Sequence, residues 1–311
     1  MKQISRMIVI VTLPALAVAA CGEQEPGEEE MQVDTTRISV TNPGFDTPES
    51  ILHDTDADVY LVSNIGGAPT AEDGNGFISR VAPNGEVAAL KWIDGQVEGT
   101  TLNAPKGMAI LGDTLYVSDI TAVRAFHRVT GEPLGSWPVE GSTFLNDLAV
   151  GPDGMLYVSD SGLNADFTGS GTDAVYRFEN GEPVAVVQDT TLAAPNGLAV
   201  RDGTLVIVSF GAPEIRTVPA SGGEVTVTRT LPGGQLDGVV VLEDGSLLVS
   251  SWETSAVYHV PADIEPMTVL EGVPSPADIG WDAERSRLLV PVFNENRLVL
   301  EKVVFGMDHD D

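Results

Sequence analysis

The chain has 311 residues, of which 16 are lysine or arginine and 46 are aspartate or glutamate, so its formal net charge is −30. Such acidity argues against binding to nucleic acid, which needs clustered cations, and against electrostatic docking on anionic lipid. The 33 glycines and 20 prolines in a chain that is 42% hydrophobic indicate a globular, turn-rich protein. A single cysteine excludes an internal disulfide framework and a cysteine-based zinc site.

The N-terminal segment has the organisation of a bacterial lipoprotein signal. Lys2 and Arg6 precede an apolar run over residues 7–20, which is shorter than the roughly 20 residues that a membrane-spanning helix needs. The run ends in the letters VAAC, which resemble a lipobox with Cys21 as the lipidated residue. An ordinary secretory signal with a coincidental cysteine is the alternative. We expect residues 1–20 to be a lipoprotein signal peptide.

The next segment, residues 21–36, carries charge, glycine and proline but little to bury. We expect it to be an acidic, solvated tether that holds a domain off the membrane. Gly22 after the cysteine resembles the signal for sorting to the outer membrane. The sequence therefore predicts a cell-envelope lipoprotein that faces the periplasm or the cell surface. Its only membrane contact would be the lipid at Cys21.

From residue 37 onward one pattern recurs, in which two short apolar strands flank a turn and the second strand ends in Val-Ser. The turns contain Asp-Gly pairs, such as Asp153-Gly154 and Asp244-Gly245, which favour hairpins because glycine accepts a positive φ. No stretch shows a sustained helical period. Five copies of the second strand begin near residues 59, 115, 156, 206 and 247, and a degenerate sixth begins near 288.

Four strands in each period of about 40–50 residues are typical of a β-propeller, and six copies predict six blades. The last copy supplies only three strands before the C-terminus. A spare strand at residues 37–41 can complete that blade and remove its exposed edge. We therefore predict an all-β fold, a six-bladed β-propeller over residues 37–304 closed by the N-terminal strand. Residues 305–311 would form an acidic C-terminal tail.

One position at the start of each innermost strand is predicted to line a mouth of the central channel. Carboxylates crowded in a narrow channel repel, so either some stay protonated or a divalent cation lies among them. Carboxylate and carboxamide oxygens suit Ca²⁺ better than Zn²⁺. An ordinary turn role for these residues is the alternative. In chain order the six residues are Glu49, Lys106, Asn146, Asn196, Asp237 and Asp278.

A resemblance to a known protein family extends over residues 45–304. It rests on the period, the number of blades and three short motifs, which are ND at 146–147, PNGL around Asn196 and DG at 237–238. They resemble the gluconolactonase, regucalcin and senescence-marker-protein (LRE-like) family of six-bladed, calcium-dependent propellers. The resemblance implies a lactonase- or esterase-like hydrolase in which Asp237 acts as general base or nucleophile. The implied calcium ligands are Glu49, Asn146, Asn196 and Asp237.

Two departures from the family pattern bear on the substrate. Phe144 stands where gluconolactonase-like members carry an arginine that meets an acidic or sugar substrate. Lys106 puts a cation near the implied metal, where it could neutralise surplus carboxylate, pair with Asp278 or replace the metal outright. An aldonolactone is therefore not the expected substrate. The sequence leaves three states of the site as alternatives: Ca²⁺, Mg²⁺ or no metal.

Insertions at residues 65–76 and 161–172 follow two of the Val-Ser strands and are expected to overhang the ring. Aromatic residues occupy the corresponding strand ends of later blades, where they can wall an apolar pocket. Packing between blades is the alternative role for aromatic side chains. The predicted wall consists of Phe144, Phe210, Trp252 and Phe293.

Three functions fit these patterns. The first is a calcium-dependent hydrolase of a lactone or related ester, working as a monomer on a small molecule. The second is a non-catalytic propeller of the NHL type that binds a protein or glycan. The third is a propeller similar to strictosidine synthase, which uses a channel carboxylate without metal. Metal content separates the first function from the other two.

Overall fold

The computed structural model describes residues 37–41 and 43–305. The predicted signal peptide, the tether with Cys21, and residues 306–311 of the tail lie outside this range, so they stay predictions. Over the described residues there is no helix long and apolar enough to cross a membrane.

The described chain forms six antiparallel sheets of four strands each. The prediction of a six-bladed β-propeller is confirmed. The innermost strand of each blade packs against that of the next, and the last packs against the first, so the ring closes. Blade 1 holds β2 (Pro48–Asp54), β3 (Val59–Asn64), β4 (Phe77–Val81) and β5 (Val87–Asp94); blade 2 holds β6 (Pro105–Leu111), β7 (Thr114–Asp119), β8 (Ala122–His127) and β9 (Pro133–Pro138); blade 3 holds β10 (Leu145–Val150), β11 (Leu156–Asp160), β12 (Ala174–Glu179) and β13 (Glu182–Gln188). Blade 4 holds β14 (Pro195–Arg201), β15 (Thr204–Ser209), β16 (Ala212–Pro219) and β17 (Thr226–Thr230); blade 5 holds β18 (Leu236–Val241), β19 (Leu247–Ser251), β20 (Ala256–Val260) and β21 (Met267–Glu271); blade 6 holds β22 (Gly280–Asp282), β23 (Arg287–Val292), β24 (Arg297–Lys302) and β1 (Ile38–Val40). Two short 3-10 helices span Thr190–Leu192 and Phe293–Glu295.

The N-terminal strand closes the last blade, as the sequence predicts. β1 pairs antiparallel with β24, so that Ile38 lies opposite Leu300 and Val40 opposite Leu298. Val40 is buried in a cluster with Leu298, Leu300 and Ile51, which belong to blades 6 and 1. The strand therefore protects an edge and seals the joint between the first and last blades.

The hydrophobic core lies between the blades. Alternate residues of each strand face the two neighbouring sheets, so each joint receives side chains from both sides. Between blades 1 and 2, for example, Leu61 and Ile78 pack against Met108, Val117 and Phe126. Five further clusters join the other neighbouring blades in the same way. Because every blade depends on both neighbours for burial, we expect the described ring to unfold as one unit.

The serine of the recurrent Val-Ser pattern ties neighbouring blades together near the channel mouth. Ser250 Oγ accepts a hydrogen bond from the Gly238 backbone N–H at 2.8 Å and donates to the Ala277 carbonyl oxygen at 2.9 Å. Ser159 Oγ likewise donates to the carbonyl oxygen of Asn196 in the next blade, at 2.7 Å. These serines, which mark the repeat in the sequence, therefore also help to fix the register of the innermost strands.

The sixth ring position is occupied by Ala277, so the assignment of Asp278 to the ring is wrong by one residue. Pro276 bridges to Val292 as Pro48 pairs with Asn64, which aligns Ala277 with Glu49. Asp278 lies one position further into the channel. The sixth copy is degenerate here, because it has Pro291 where blades 1, 2, 3 and 5 carry the bridging serine.

Glycine beside the ring position lets neighbouring innermost strands approach closely. A Cβ atom on Gly238 would lie 2.4 Å from Ile279 N and 2.8 Å from Asp278 Cα, which are backbone atoms that cannot move aside. We expect Gly238→Ala to lower the free energy of unfolding by about 2 kcal/mol or more. Gly169→Ala is the matched control, because a Cβ there meets nothing within 4 Å. Chemical denaturation of both variants measures the difference; equal stability would contradict this packing.

Candidate active site

Five polar side chains meet at one mouth of the central channel, where they line a cavity of about 300 Å³. None is more than 5% exposed. Each lies where the register of the two inner strands of its blade shifts, so the side chain is released from the regular ladder and turned toward the mouth. The five residues are Glu49, Lys106, Asn146, Asn196 and Asp237.

Four buried oxygen atoms of this ring have no hydrogen-bond partner. They are Glu49 Oε2, Asn146 Oδ1, Asn196 Oδ1 and Asp237 Oδ1, and they are the only buried side-chain oxygens in that condition among residues 37–41 and 43–305. Each such oxygen costs about 1–3 kcal/mol when nothing replaces its water. The set coincides with the four calcium ligands that the family resemblance implies.

Two carboxylates and two carboxamides offer hard oxygen donors, so the residues present fit a cation such as Ca²⁺. No group of three His, Cys, Asp or Glu side chains within the described part of the chain is placed to hold a metal. A cation at this mouth would therefore depend on Asn146 and Asn196 as much as on the two carboxylates.

The amide of Asn146 is oriented by its own hydrogen bond. Its Nδ2 donates to Ser161 Oγ at 3.1 Å, and Ser161 Oγ donates in turn to the carbonyl oxygen of Pro195 at 2.7 Å. With the nitrogen committed to Ser161, the oxygen Oδ1 is left free in the cavity. This is the orientation that a metal ligand requires.

Lys106 is a fixed internal cation. Its Nζ donates to the carbonyl oxygens of Pro69 at 3.0 Å and Ala104 at 3.1 Å, and it lies 4.4 Å from the ring centroid of Phe144. Burial lowers the pKa of Lys106 to about 8, against the opposing carboxylates of Glu49 and Asp119. Of the roles that the sequence left open, pairing with Asp278 is wrong, because its described partners are the two carbonyls and Phe144.

Burial raises the pKa values of the ring carboxyls well above their usual range. For Glu49, the charges of Asp237 and Asp278 add to the effect of burial, whereas Lys106 lowers the pKa. For Asp237, burial is again the largest cause and Asp278 the next. The nearby indole N–H of Trp252 favours the charged form of Asp237, although it lies outside hydrogen-bonding geometry. A bound divalent cation would reverse these shifts.

A second pair of carboxyls lies directly below the ring, and sequence reasoning assigned no role to one of them. Asp147 accepts hydrogen bonds from the backbone N–H groups of Leu148 at 2.6 Å and Leu198 at 2.7 Å. Asp278 accepts from Ser50 Oγ, and burial raises its pKa to about 7. Both line a separate cavity of about 310 Å³ further along the channel. The sequence signal that could have identified Asp147 is its position, which glycine occupies in three other blades.

The wall above the ring is apolar. Trp252 stacks edge-on to Phe210 at 5.4 Å and lies 5.1 Å from Phe293, measured between ring centroids. These three residues follow the second strands of blades 4, 5 and 6, and all line the cavity. We call them the aromatic arc. Phe144 lines the cavity from blade 3.

The two insertions overhang the ring as expected. Ile65 and Pro69 of the first insertion line the cavity, as do Leu163 and Phe167 of the second. Phe167 is 59% exposed and lies 6.3 Å from Phe144 between ring centroids. Sequence reasoning did not single out Phe167, because it lies in an insertion that has no counterpart in other blades.

Comparison by sequence gives no relatives: no family model matches the chain, and no curated protein matches it. Solved structures do match. A gluconolactonase from Xanthomonas campestris gives a TM-score of 0.67 at 18% identity, over 88% of this chain and 91% of that one. A putative gluconolactonase gives 0.67 at 18% identity, over 89% and 95%.

Lyases share the same architecture. Virginiamycin B lyase from Staphylococcus aureus gives a TM-score of 0.62 at 13% identity, over 87% of this chain and 100% of that one. A catalytically inactive histidine-to-alanine variant of that lyase, with quinupristin, gives 0.58 at 13% identity over the same shares. At such identities the similarity shows the fold alone. The resemblance to gluconolactonase propellers is thereby confirmed for the fold.

Proposed function

We propose that this chain is a calcium-dependent hydrolase that cleaves a lactone or related ester at the channel mouth. The observation that carries the proposal is the set of four buried, partnerless oxygens on Glu49, Asn146, Asn196 and Asp237. The four residues line one cavity together, and a cation bound among them would supply partners for these oxygens. Gluconolactonases among the solved structures of the same fold support the reaction class.

In this proposal the four residues would hold calcium, which would supply a Lewis acid for the substrate carbonyl. The carboxylate of Asp237 accepts the proton of the attacking water, or attacks the carbonyl carbon itself. In the first route water adds to that carbon, the acyl C–O bond breaks, and the leaving oxygen takes the proton from Asp237. In the second route Asp237 displaces the leaving oxygen, which takes a proton from water, and hydrolysis of the resulting acyl–Asp237 anhydride regenerates the carboxylate. An ester yields an acid and an alcohol, and a lactone yields a hydroxy acid.

The lining of the cavity supports a carboxylate such as Asp237 in this role. None of the described histidines, His53, His127 and His259, lines the cavity. Lys106 opposes part of the rise in the pKa of Glu49, the other carboxylate of the cavity.

The absence of those histidines from the cavity also favours a hydrolase over a lyase. The S. aureus lyase is inactive when one histidine becomes alanine. In the described range of this chain, the cavity offers carboxylates, carboxamides and a lysine for polar chemistry. The NHL-type and metal-free alternatives predict no calcium binding, so the same experiment addresses them.

The test is a panel of aryl esters and lactones, assayed on the purified protein with calcium and with chelator. We expect hydrolysis to fall at least ~100-fold in chelator, since a Lewis acid contributes several kcal/mol, and to return with added calcium. Metal analysis should give about one calcium per chain. Asn196→Ala should lose calcium, whereas Asn84→Ala, an exposed turn residue, should keep it. Hydrolysis that is indifferent to chelation would contradict the proposal.

The cell-envelope location stays part of this proposal. Lipidation at Cys21, and anchoring to the outer membrane through it, depend on residues outside the described range. With such an anchor the cavity would meet small molecules of the periplasm or the cell surface.

A further inference from the structure

The cavity has a polar floor and a wall with almost no hydrogen-bonding capacity. Above the ring, the lining side chains are aliphatic or aromatic, apart from Ser161 and the indole N–H of Trp252. Ser161 Oγ is already engaged by Asn146 and Pro195. Hydroxyl groups placed along this wall would therefore leave water without finding partners, at a cost of about 1–3 kcal/mol for each unsatisfied hydroxyl.

One free donor does remain in the wall. Trp252 Nε1 is buried and has no hydrogen-bond partner. It lies near Asp237, close enough to favour the charged form of that carboxyl. A ligand oxygen placed beside the floor could accept this hydrogen bond. The polar groups of the site are thus concentrated at one end, where a single carbonyl or ester group would be held.

The apolar surfaces face one another across the channel. The aromatic arc belongs to blades 4 to 6, whereas Phe144, Leu163 and Phe167 belong to blade 3, which is three blades from Phe293 in the six-bladed ring. A group bound between them contacts aromatic faces on one side and a mixed wall on the other. Phe167, exposed at the rim, would be covered by such a group.

Volume limits the size of the ligand. The cavity measures about 300 Å³, the lower end of the range for small-molecule sites. Since liquid water occupies about 30 Å³ per molecule, this space holds roughly ten non-hydrogen atoms or a few more. A short alkyl or aryl group attached to one carbonyl fills it.

We infer that the substrate is an apolar ester or lactone, with an aryl or short alkyl group held between the aromatic arc and blade 3, and not a sugar lactone. The hydrolytic part of this statement rests on the proposed function, whereas the binding preference does not. The polar end lies on the ring and the apolar group lies in the wall.

Binding of two inert lactams in the presence of chelator tests the preference without hydrolysis. 6-Propylpiperidin-2-one carries one carbonyl and an alkyl group, and gluconolactam carries one carbonyl and several hydroxyls at a similar size. Titration calorimetry on the full chain should show the alkyl lactam binding at least ~10-fold more tightly, since one or two unsatisfied hydroxyls suffice for that ratio. Equal or tighter binding of gluconolactam, or no binding of the alkyl lactam, overturns the inference.

A variant of the arc locates the bound group. Phe210→Ala should weaken the alkyl lactam about 10-fold through lost apolar contact and leave gluconolactam unchanged. Leu134→Ala is the control, because Leu134 is 53% exposed on the outermost strand of blade 2, away from the cavity. A similar loss in both variants would contradict the placement.

The outcomes separate this inference from the proposed function. Tight binding of the alkyl lactam without any calcium-dependent hydrolysis would support the inference and refute the function. Calcium-dependent hydrolysis of glucono-δ-lactone in preference to an alkyl lactone such as δ-octanolactone would support the proposed function and refute the inference.

Discussion

Asp237→Asn is expected to reduce turnover by about 10²–10⁴-fold, the usual contribution of a general base. The change removes the proton acceptor but keeps a side-chain oxygen of the same reach. Asparagine also fits this position without strain, since Asn146 and Asn196 occupy the equivalent positions of blades 3 and 4. The folded structure and part of the calcium affinity should therefore survive. Measurement of kcat at saturating calcium, with unfolding curves as a check, decides the matter.

Glu49→Gln is the matched comparison, because it alters a proposed ligand without removing the proposed base. We expect it to bind calcium more weakly and to recover most of its turnover when calcium is in excess. Asp237→Asn should not recover. If both variants respond to excess calcium in the same way, the separate roles assigned to Glu49 and Asp237 are wrong.

The repeat made most of the fold predictable from sequence. Val-Ser strands and Asp-Gly turns at a regular period determine the number of blades, and the spare N-terminal strand determines how the ring closes. The ring positions in blades 1 to 5 could be predicted because each follows a proline or leucine that begins an inner strand, such as Pro48 or Leu236.

Register within a degenerate copy could not be predicted. In blade 4, Ser209 pairs with Pro195, so Val208 holds the place of the bridging serine, and Ser209 Oγ donates to the carbonyl oxygen of Leu192 instead. In blade 6 a proline replaces the serine altogether. A shift of one residue changes which side chain reaches the channel mouth, and only backbone pairing reveals it.

Contacts that depend on three-dimensional approach were also beyond the sequence. Lys106 could be placed at the mouth, but its partners are backbone carbonyls, which no sequence pattern marks. Phe167 reaches the cavity through the conformation of an insertion. Asp147 lies where neighbouring inner strands nearly touch: a Cβ on Gly107 would be 2.5 Å from Asp147 Cα.

The ionisation of the buried carboxyls leads to a second large effect, which is a dependence of the free energy of unfolding on pH. In chelator, we expect the free energy of unfolding to fall as pH rises from about 4 to about 7. Burial raises the pKa of Asp278 to about 7 and those of Glu49 and Asp237 well above their usual range. Unfolded carboxyls titrate near pH 4. Between these values the folded chain binds more protons than the unfolded chain, so raising the pH favours unfolding.

Each carboxyl that still holds its proton in this window contributes a slope of about −1.4 kcal/mol per pH unit. Asp278→Asn should remove one such contribution up to about pH 7 and flatten the curve measured in chelator. The variant leaves the four proposed ligands in place, so calcium should still bind. An unchanged slope would mean that Asp278 is ionised in the folded chain well below that pH.

Calcium should oppose this loss of stability. A cation that binds only the folded, deprotonated ring stabilises by RT ln(1 + [Ca²⁺]/Kd), which is about 4 kcal/mol at a thousandfold excess over Kd. Because protons compete for Glu49 and Asp237, the calcium-induced rise in Tm should grow as pH increases from 5 to 8. Thermal unfolding across this range, with calcium and with chelator, measures the difference. A rise that is absent, or largest at low pH, would show that the ring carboxyls do not hold the metal.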